Sequence, residues 1–267
     1  MNRTDLTKFI ATRFDGVVVS GNAVATHLRR EFIGVSPQQI RLAIEGLSRM
    51  NPGSFGGSLR YETIAGVRCG IVNYNRIGKK RDLILWIHGG AFTFGSAKVY
   101  RAAAVHLAKS LECEIVIPEY RLSPENVFPA AIDDVLSVYL DLIDSDGYIP
   151  VIGDSAGGNL AACLVQKCIK EGMAIPTKLA LLSPWVDLSK GSKSNKKNKN
   201  DFSPFDHLDT VAFSRDYIGK MNDENPLVSP LFGSFKGFPS THVQASKAEF
   251  LRSDSEELIK KLLKEKV

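Results

Sequence analysis

Residues 148–165 read Tyr148-Ile149-Pro150-Val151-Ile152-Gly153-Asp154-Ser155-Ala156-Gly157-Gly158-Asn159-Leu160-Ala161-Ala162-Cys163-Leu164-Val165. A short apolar run leads into Gly-x-Ser-x-Gly, and a helical run leads out of it. Strand, tight turn at a serine, then helix is the nucleophile elbow. The turn is so sharp that only small residues fit two positions either side of the serine, and the hydroxyl is pushed out over the sheet edge. A serine used this way needs a histidine base and an acid to orient it. The chain ends at Val267, and no histidine follows His242.

Outward from the elbow, the pattern alternates between strands and helices. Strands are expected at Tyr61–Ala65 and Val67–Tyr74, as a hairpin around Gly66. Further strands are expected at Leu83–His88, Glu114–Pro118, Ile149–Gly153, Leu179–Ser183 and Thr241–Ala245. Helices are expected over Thr4–Phe14, Gln38–Met50, Ala97–Ser110, Ala130–Ile143, Ser155–Glu171 and His207–Gly219, and over Ser253–Lys266 with Ser253 and Glu256 as a capping box. Such alternation implies an α/β fold, a mainly parallel sheet with helices on both faces. Asn51-Pro52-Gly53-Ser54-Phe55-Gly56-Gly57 is a breaker. It divides an N-terminal helical segment, residues 1–55, from a core of 56–267.

Composition is that of an ordinary globular chain, with 44% hydrophobic and 24% charged residues. The net charge is +5, and Lys190, Lys193, Lys196, Lys197 and Lys199 account for all of it. That stretch reads as a solvated lysine loop within 189–206, with no nucleic-acid partner implied. Cys69, Cys113, Cys163 and Cys168 show no metal or disulfide spacing and read as small buried side chains in a reducing compartment. With no apolar run of membrane length and no signal-peptide core, a cytoplasmic protein without stable membrane insertion is expected.

The second motif is His88-Gly89-Gly90-Ala91, at the end of the expected Leu83–His88 strand. Glycines there leave backbone N–H groups bare, as an oxyanion hole requires, each donor being worth about 3 kcal/mol. An elbow alone is a weak signal. An elbow preceded by a His-Gly-Gly loop, each following a strand, is a strong one.

With these motifs on the page, the chain resembles the α/β-hydrolases related to hormone-sensitive lipase, which are carboxylesterases and lipases. The matching segments are His88-Gly89-Gly90 with Gly95-Ser96; Glu119-Tyr120-Arg121-Leu122-Ser123-Pro124-Glu125; Phe128-Pro129-Ala130-Ala131 with Asp133-Asp134; the elbow 153–159; Ser183-Pro184-Trp185-Val186-Asp187-Leu188; and Ser229-Pro230-Leu231. The resemblance implies Ser155 as nucleophile and the N–H groups of Gly89, Gly90 and Ala156 as the oxyanion hole. His88 and Asp154 would be supporting residues. It also implies a cap from the N-terminal helices and part of 189–220, a small acyl-ester substrate, and no cofactor or metal. A homodimer is compatible with it.

The acid implied is Glu249, in Glu249-Phe250-Leu251-Arg252-Ser253-Asp254, with Asp254 as the competing carboxylate. The family's histidine normally lies after one more strand, in a short His-x-Phe loop. Only residues 250–267 follow Glu249, and none is histidine. Of the others, His88 sits in the oxyanion loop and His106 in a crossover helix. His242 would be roughly 23 Å of extended strand from Glu249. His27 and His207 lie in cap-like segments. The expectation is therefore a member truncated before its catalytic histidine and last strand, with weak turnover. The alternatives are a decayed hydrolase or a small-ligand-binding module on the same fold, as in the plant gibberellin receptors.

Overall fold

The structure is a computed structural model, and it describes residues 36–48, 56–74, 82–195 and 210–267. The expected Thr4–Phe14 helix, His27, His207 and most of the lysine loop lie outside the described residues.

Seven strands form one sheet in the order β1-β2-β4-β3-β5-β6-β7. They are β1 (Gly57–Ile64), β2 (Val67–Tyr74), β3 (Leu83–Ile87), β4 (Glu114–Pro118), β5 (Val151–Asp154), β6 (Leu179–Leu182) and β7 (Thr241–Gln244). β1 and β2 form the expected hairpin, with Ala65 (φ 48°) and Gly66 (φ 81°) in the turn. β2 also pairs antiparallel with β4, and from β4 onward every pairing is parallel.

The helices are α1 (Pro37–Ser48), α2 (Ala97–Leu111), α3 (Ala130–Asp146), α4 (Ala156–Glu171), α5 (Thr210–Ile218) and α6 (Arg252–Lys264). Side chains of β3 alternate between two separate cores. Leu85 and Ile87 join the larger one with Tyr139 of α3, Leu160 and Leu164 of α4 and Leu258 of α6. Ile84 and Trp86 join the smaller one with Val105, Leu107 and Ala108 of α2. A strand buried on both faces must be apolar throughout, which is why Leu83–Ile87 has no polar alternation.

Two expectations change. β1 begins at Gly57, inside the expected breaker, because Gly57 packs directly under α2: a Cβ there would lie 2.2 Å from Val105 Cγ2. The capping box at Ser253 does not form. α6 starts at Arg252 behind Leu251, with no side-chain cap, and the Ser253 hydroxyl is buried without a partner among the described residues.

Two helices border the loop after β3. Arg41 of α1 donates from Nε to the Thr93 carbonyl (2.7 Å) and from Nη2 to the Ser123 carbonyl (2.7 Å), and pairs with Glu125 (2.8 Å). Tyr217 of α5 stacks on Phe92 at 3.7 Å, and Phe213 meets Phe94 edge-on at 5.5 Å.

Candidate active site

Ser155 joins β5 to α4 with φ 51° and ψ −119°, a backbone conformation that residues with a Cβ rarely adopt. Such a residue stores about 1–3 kcal/mol of strain, which the surroundings must hold in place. Its N–H donates to the Leu182 carbonyl (3.0 Å), and its carbonyl accepts from Asn159 (3.1 Å) and Trp185 (3.0 Å). The small residues of the motif follow from crowding: a Cβ on Gly153 would lie 2.4 Å from the Gly157 carbonyl oxygen.

The His-Gly-Gly loop lies against this turn. A Cβ on Gly89 would be 3.1 Å from Ser155 Cβ and 2.4 Å from Asp154 Oδ2. The loop and the serine therefore share one end of the sheet, the carboxyl end, where parallel α/β folds gather their sites. The loop's first amide is already occupied, however. Gly89 N–H donates to Tyr100 Oη (2.9 Å) and Asp154 Oδ1 (3.1 Å). That occupation argues against Gly89 as an oxyanion donor. The N–H groups of Gly90, Ala91 and Ala156 make no hydrogen bond among the described residues. Gly90 (φ 121°) and Ala91 (φ 52°) both have left-handed backbones, which turns the loop at this point.

The loop is braced from below. His88 is buried, stacked on Tyr120 at 4.3 Å, with Nδ1 2.9 Å from the Gly89 carbonyl. Burial pushes its pKa down to about 4, so it stays neutral at pH 7. Tyr120 Oη donates to the His88 carbonyl (2.7 Å), Glu119 accepts from Ala97 N–H (3.0 Å), and Arg121 pairs with Asp134. These contacts hold the loop and reach no open site.

Glu249 follows β7 and accepts from Ser183 Oγ at 2.7 and 2.8 Å and from Ser246 N–H at 2.9 Å. Ser183 (φ 46°) closes β6, two residues before Trp185, whose N–H holds the Ser155 carbonyl. Glu249 is thus tied to the same end of the sheet as Ser155. Asp254 is turned elsewhere. It is 2% exposed, and its Oδ2 accepts from Val186 N–H (2.9 Å) and Asp187 N–H (3.0 Å). Sequence reasoning left two further contacts without a role. Asn159 bridges the Trp185 and Val228 carbonyls (2.9 and 2.8 Å), and Ser229 Oγ accepts from Leu188 N–H (2.9 Å). The only signal for them was their place in the quoted segments.

Three histidines are described, and none is hydrogen-bonded to Ser155 or Glu249. His88 is held under the loop, and His106 lies in α2. His242 pairs in register with Ala180, two residues short of Leu182, whose carbonyl receives the Ser155 N–H. The expected 23 Å of strand between His242 and Glu249 is not observed, because β7 ends at Gln244 and the chain then turns. Among the described residues, no group of three or more His, Cys, Asp or Glu side chains could hold a metal ion. No helix among them is long and apolar enough to cross a membrane.

The α/β hydrolase fold family matches residues 84–267. An esterase of Acinetobacter venetianus is 32% identical over 228 residues, covering 84% of this chain and 74% of that protein. A solved hormone-sensitive lipase from a metagenome library is 32% identical with a TM-score of 0.81, covering 91% of this chain and 83% of that one. This chain belongs to the hormone-sensitive-lipase-like α/β hydrolases. An acetyl-hydrolase of Streptomyces hygroscopicus is 29% identical over 184 residues, and the chain spans 62% of its length.

In this hydrolase the buried carboxylate of Asp254 carries a measurable consequence. Burial, aided by nearby Asp187, pushes its pKa up to about 7 from an ordinary value of 3.8. Between these values the unfolded chain has released the proton and the folded one keeps it. The contribution to stability is therefore full below about pH 4 and is lost as pH rises toward 7. Burial raises Glu249 in the same direction. Asp254→Asn keeps an acceptor for Val186 and Asp187 but cannot ionise. Between pH 5 and pH 8, the urea midpoint of the wild type should fall relative to that of Asp254→Asn. A difference that does not change with pH would mean that Asp254 is ionised in the fold throughout.

Proposed function

We propose that this chain is a serine carboxylesterase-type hydrolase acting on small acyl esters. Ser155 is the nucleophile, Glu249 the acid, and the N–H groups of Gly90, Ala91 and Ala156 the oxyanion hole. The observation that carries the reading is the strained Ser155 turn lying against the Gly89–Gly90 loop at the carboxyl end of the sheet. Ser155 Oγ would attack the ester carbonyl and the three amides would hold the negative oxygen. The serine proton would pass to the departing alkoxide, which leaves as the alcohol, and water would then release the acid from the acyl-serine and return a proton to Ser155. Gly89 supports the loop and donates nothing to the substrate. α1, α5 and the Phe94–Phe213 pair form the cap side of the acyl pocket.

A fluorophosphonate tests the nucleophile. On long incubation it should slowly add one adduct mass to the protein, mapped to Ser155 by peptide sequencing and absent in Ser155→Ala. Labelling that persists in Ser155→Ala would overturn the assignment. One observation favours a second reading, a binding pocket without turnover: none of the described histidines is bonded to Ser155 or Glu249. Saturable binding of a short-chain carboxylate or ester to Ser155→Ala and wild type alike, with no hydrolysis above the rate in water and no fluorophosphonate adduct, would decide for it.

A further inference from the structure

Asp154 precedes the nucleophile and is absent from the chemistry above, yet it is the most heavily bonded carboxylate near it. Its Oδ1 accepts from Trp86 Nε1 (3.0 Å) and Gly89 N–H (3.1 Å), and its Oδ2 accepts from Tyr100 Oη (2.6 Å). Tyr100 Oη in turn accepts from Gly89 N–H (2.9 Å), closing a ring of three groups. The donors come from three separate elements: β3, the loop after it, and α2. The ring also sits at closest approach, since a Cβ on Gly89 would lie 2.4 Å from Asp154 Oδ2 and 2.8 Å from the Asp154 carbonyl oxygen.

We propose that Asp154 is a positioning residue that, with Tyr100 and Trp86, sets the distance between the oxyanion loop and Ser155. Asp154 is joined covalently to Ser155, and Gly89 to Gly90, the first amide free to face an oxyanion. A carboxylate clasping the Gly89 amide therefore sets the spacing of nucleophile and oxyanion donor through one bond on each side. The proposal rests on the serine-hydrolase reading above. It adds that the aspartate beside the nucleophile acts on the loop and not on the substrate.

The ring favours the ionised acid against burial, which raises the Asp154 pKa. Three donors converge on two oxygens, which a carboxylate accepts without a proton of its own. An asparagine has one oxygen. If that oxygen faces Trp86 and Gly89, its amide nitrogen confronts Tyr100 Oη, whose proton then has no acceptor. If it faces Tyr100, two N–H donors confront an NH₂ group. In either case the loop must move. Oxyanion donors act on charge that develops in the transition state, so a displaced loop lowers kcat more than it raises KM.

The test uses the 267-residue protein and a short-chain aryl ester, reading the protein-dependent rate of hydrolysis above that in water. Asp154→Asn should lower that kcat about tenfold or more, with KM within about twofold. Tyr100→Phe removes one side of the ring and should cost about threefold in kcat. In the double variant the tyrosine change should cost nothing further, because the ring is already open. If Asp154→Asn fails to fold, Tyr100→Phe and Trp86→Phe carry the test through the same kcat and KM comparison. A kcat within twofold of wild type in Asp154→Asn would overturn the proposal, as would independent, multiplicative effects of Asp154→Asn and Tyr100→Phe. Fluorophosphonate labelling that persists in Ser155→Ala would remove the serine reading itself and the proposal with it.

Discussion

Gly157→Ala is expected to destabilise the fold by about 3 kcal/mol or more. A Cβ at that position would lie 2.0 Å from the Ile87 carbonyl oxygen and 2.5 Å from that of His88. Both obstructing atoms are backbone. They belong to Ile87, the last residue of β3, which is paired with Gly153 of β5, and to the residue after it. No side chain can rotate away, so either α4 must lift from the sheet or β3 must shift. Lifting α4 would also disturb Asn159 and the two carbonyls it bridges. Gly46 provides the opposite case. A Cβ there meets nothing within 4 Å, and the residue sits exposed inside α1. Gly46→Ala should therefore stabilise by about 0.5–1 kcal/mol through helix propensity. Urea unfolding of both variants checks this, with unchanged m-values confirming the same transition. A Gly157→Ala midpoint near that of wild type would mean that helix and strand do not approach as closely as described.

The contrast between these glycines shows what sequence can carry. Gly153 and Gly157 were legible because a short strand, a serine and a helix leave little room at a fixed spacing. The continuous apolar run of β3 was legible because burial on both faces permits nothing else. Position within the sheet was less legible. Nothing local in Tyr100 indicates that its hydroxyl closes on a carboxylate 54 residues later, and Trp86 gives only the general rule that a buried indole N–H finds an acceptor. Gly89 shows the limit most clearly. Its motif marks a loop that bares amides, but which amides stay free depends on Asp154 and Tyr100 claiming the first of them. Asp254 and Glu249 were competing carboxylates in sequence because both follow the same strand. Their hydrogen-bond partners separate them: the backbone of 186–187 for one, and Ser183 at the end of β6 for the other.

The 267-residue polypeptide is expected to hydrolyse short-chain aryl esters very slowly, on the order of 10³-fold over water, a rate that comes from the oxyanion hole and binding and changes little in Ser155→Ala. A serine hydroxyl without a base stays protonated at pH 7 and is a poor nucleophile. Removing the base from a working triad costs about a million-fold in kcat, even with the oxyanion hole and binding pocket intact. Glu249 does not replace it. Its oxygens are already held by Ser183 and the Ser246 amide, and its place in a triad is to orient a histidine. His88 does not replace it either. It is buried beneath the loop, with Nδ1 committed to the Gly89 carbonyl and its ring stacked on Tyr120. His242 lies two residues down the sheet from the level at which Ser155 is held. A Ser155-dependent turnover of tens per second would overturn this expectation. It would place the base on His27, His207 or a neighbouring subunit. Replacing each histidine by glutamine would then identify it, because only the variant that removes the base should lose kcat to the level of Ser155→Ala while still folding with the wild-type urea midpoint.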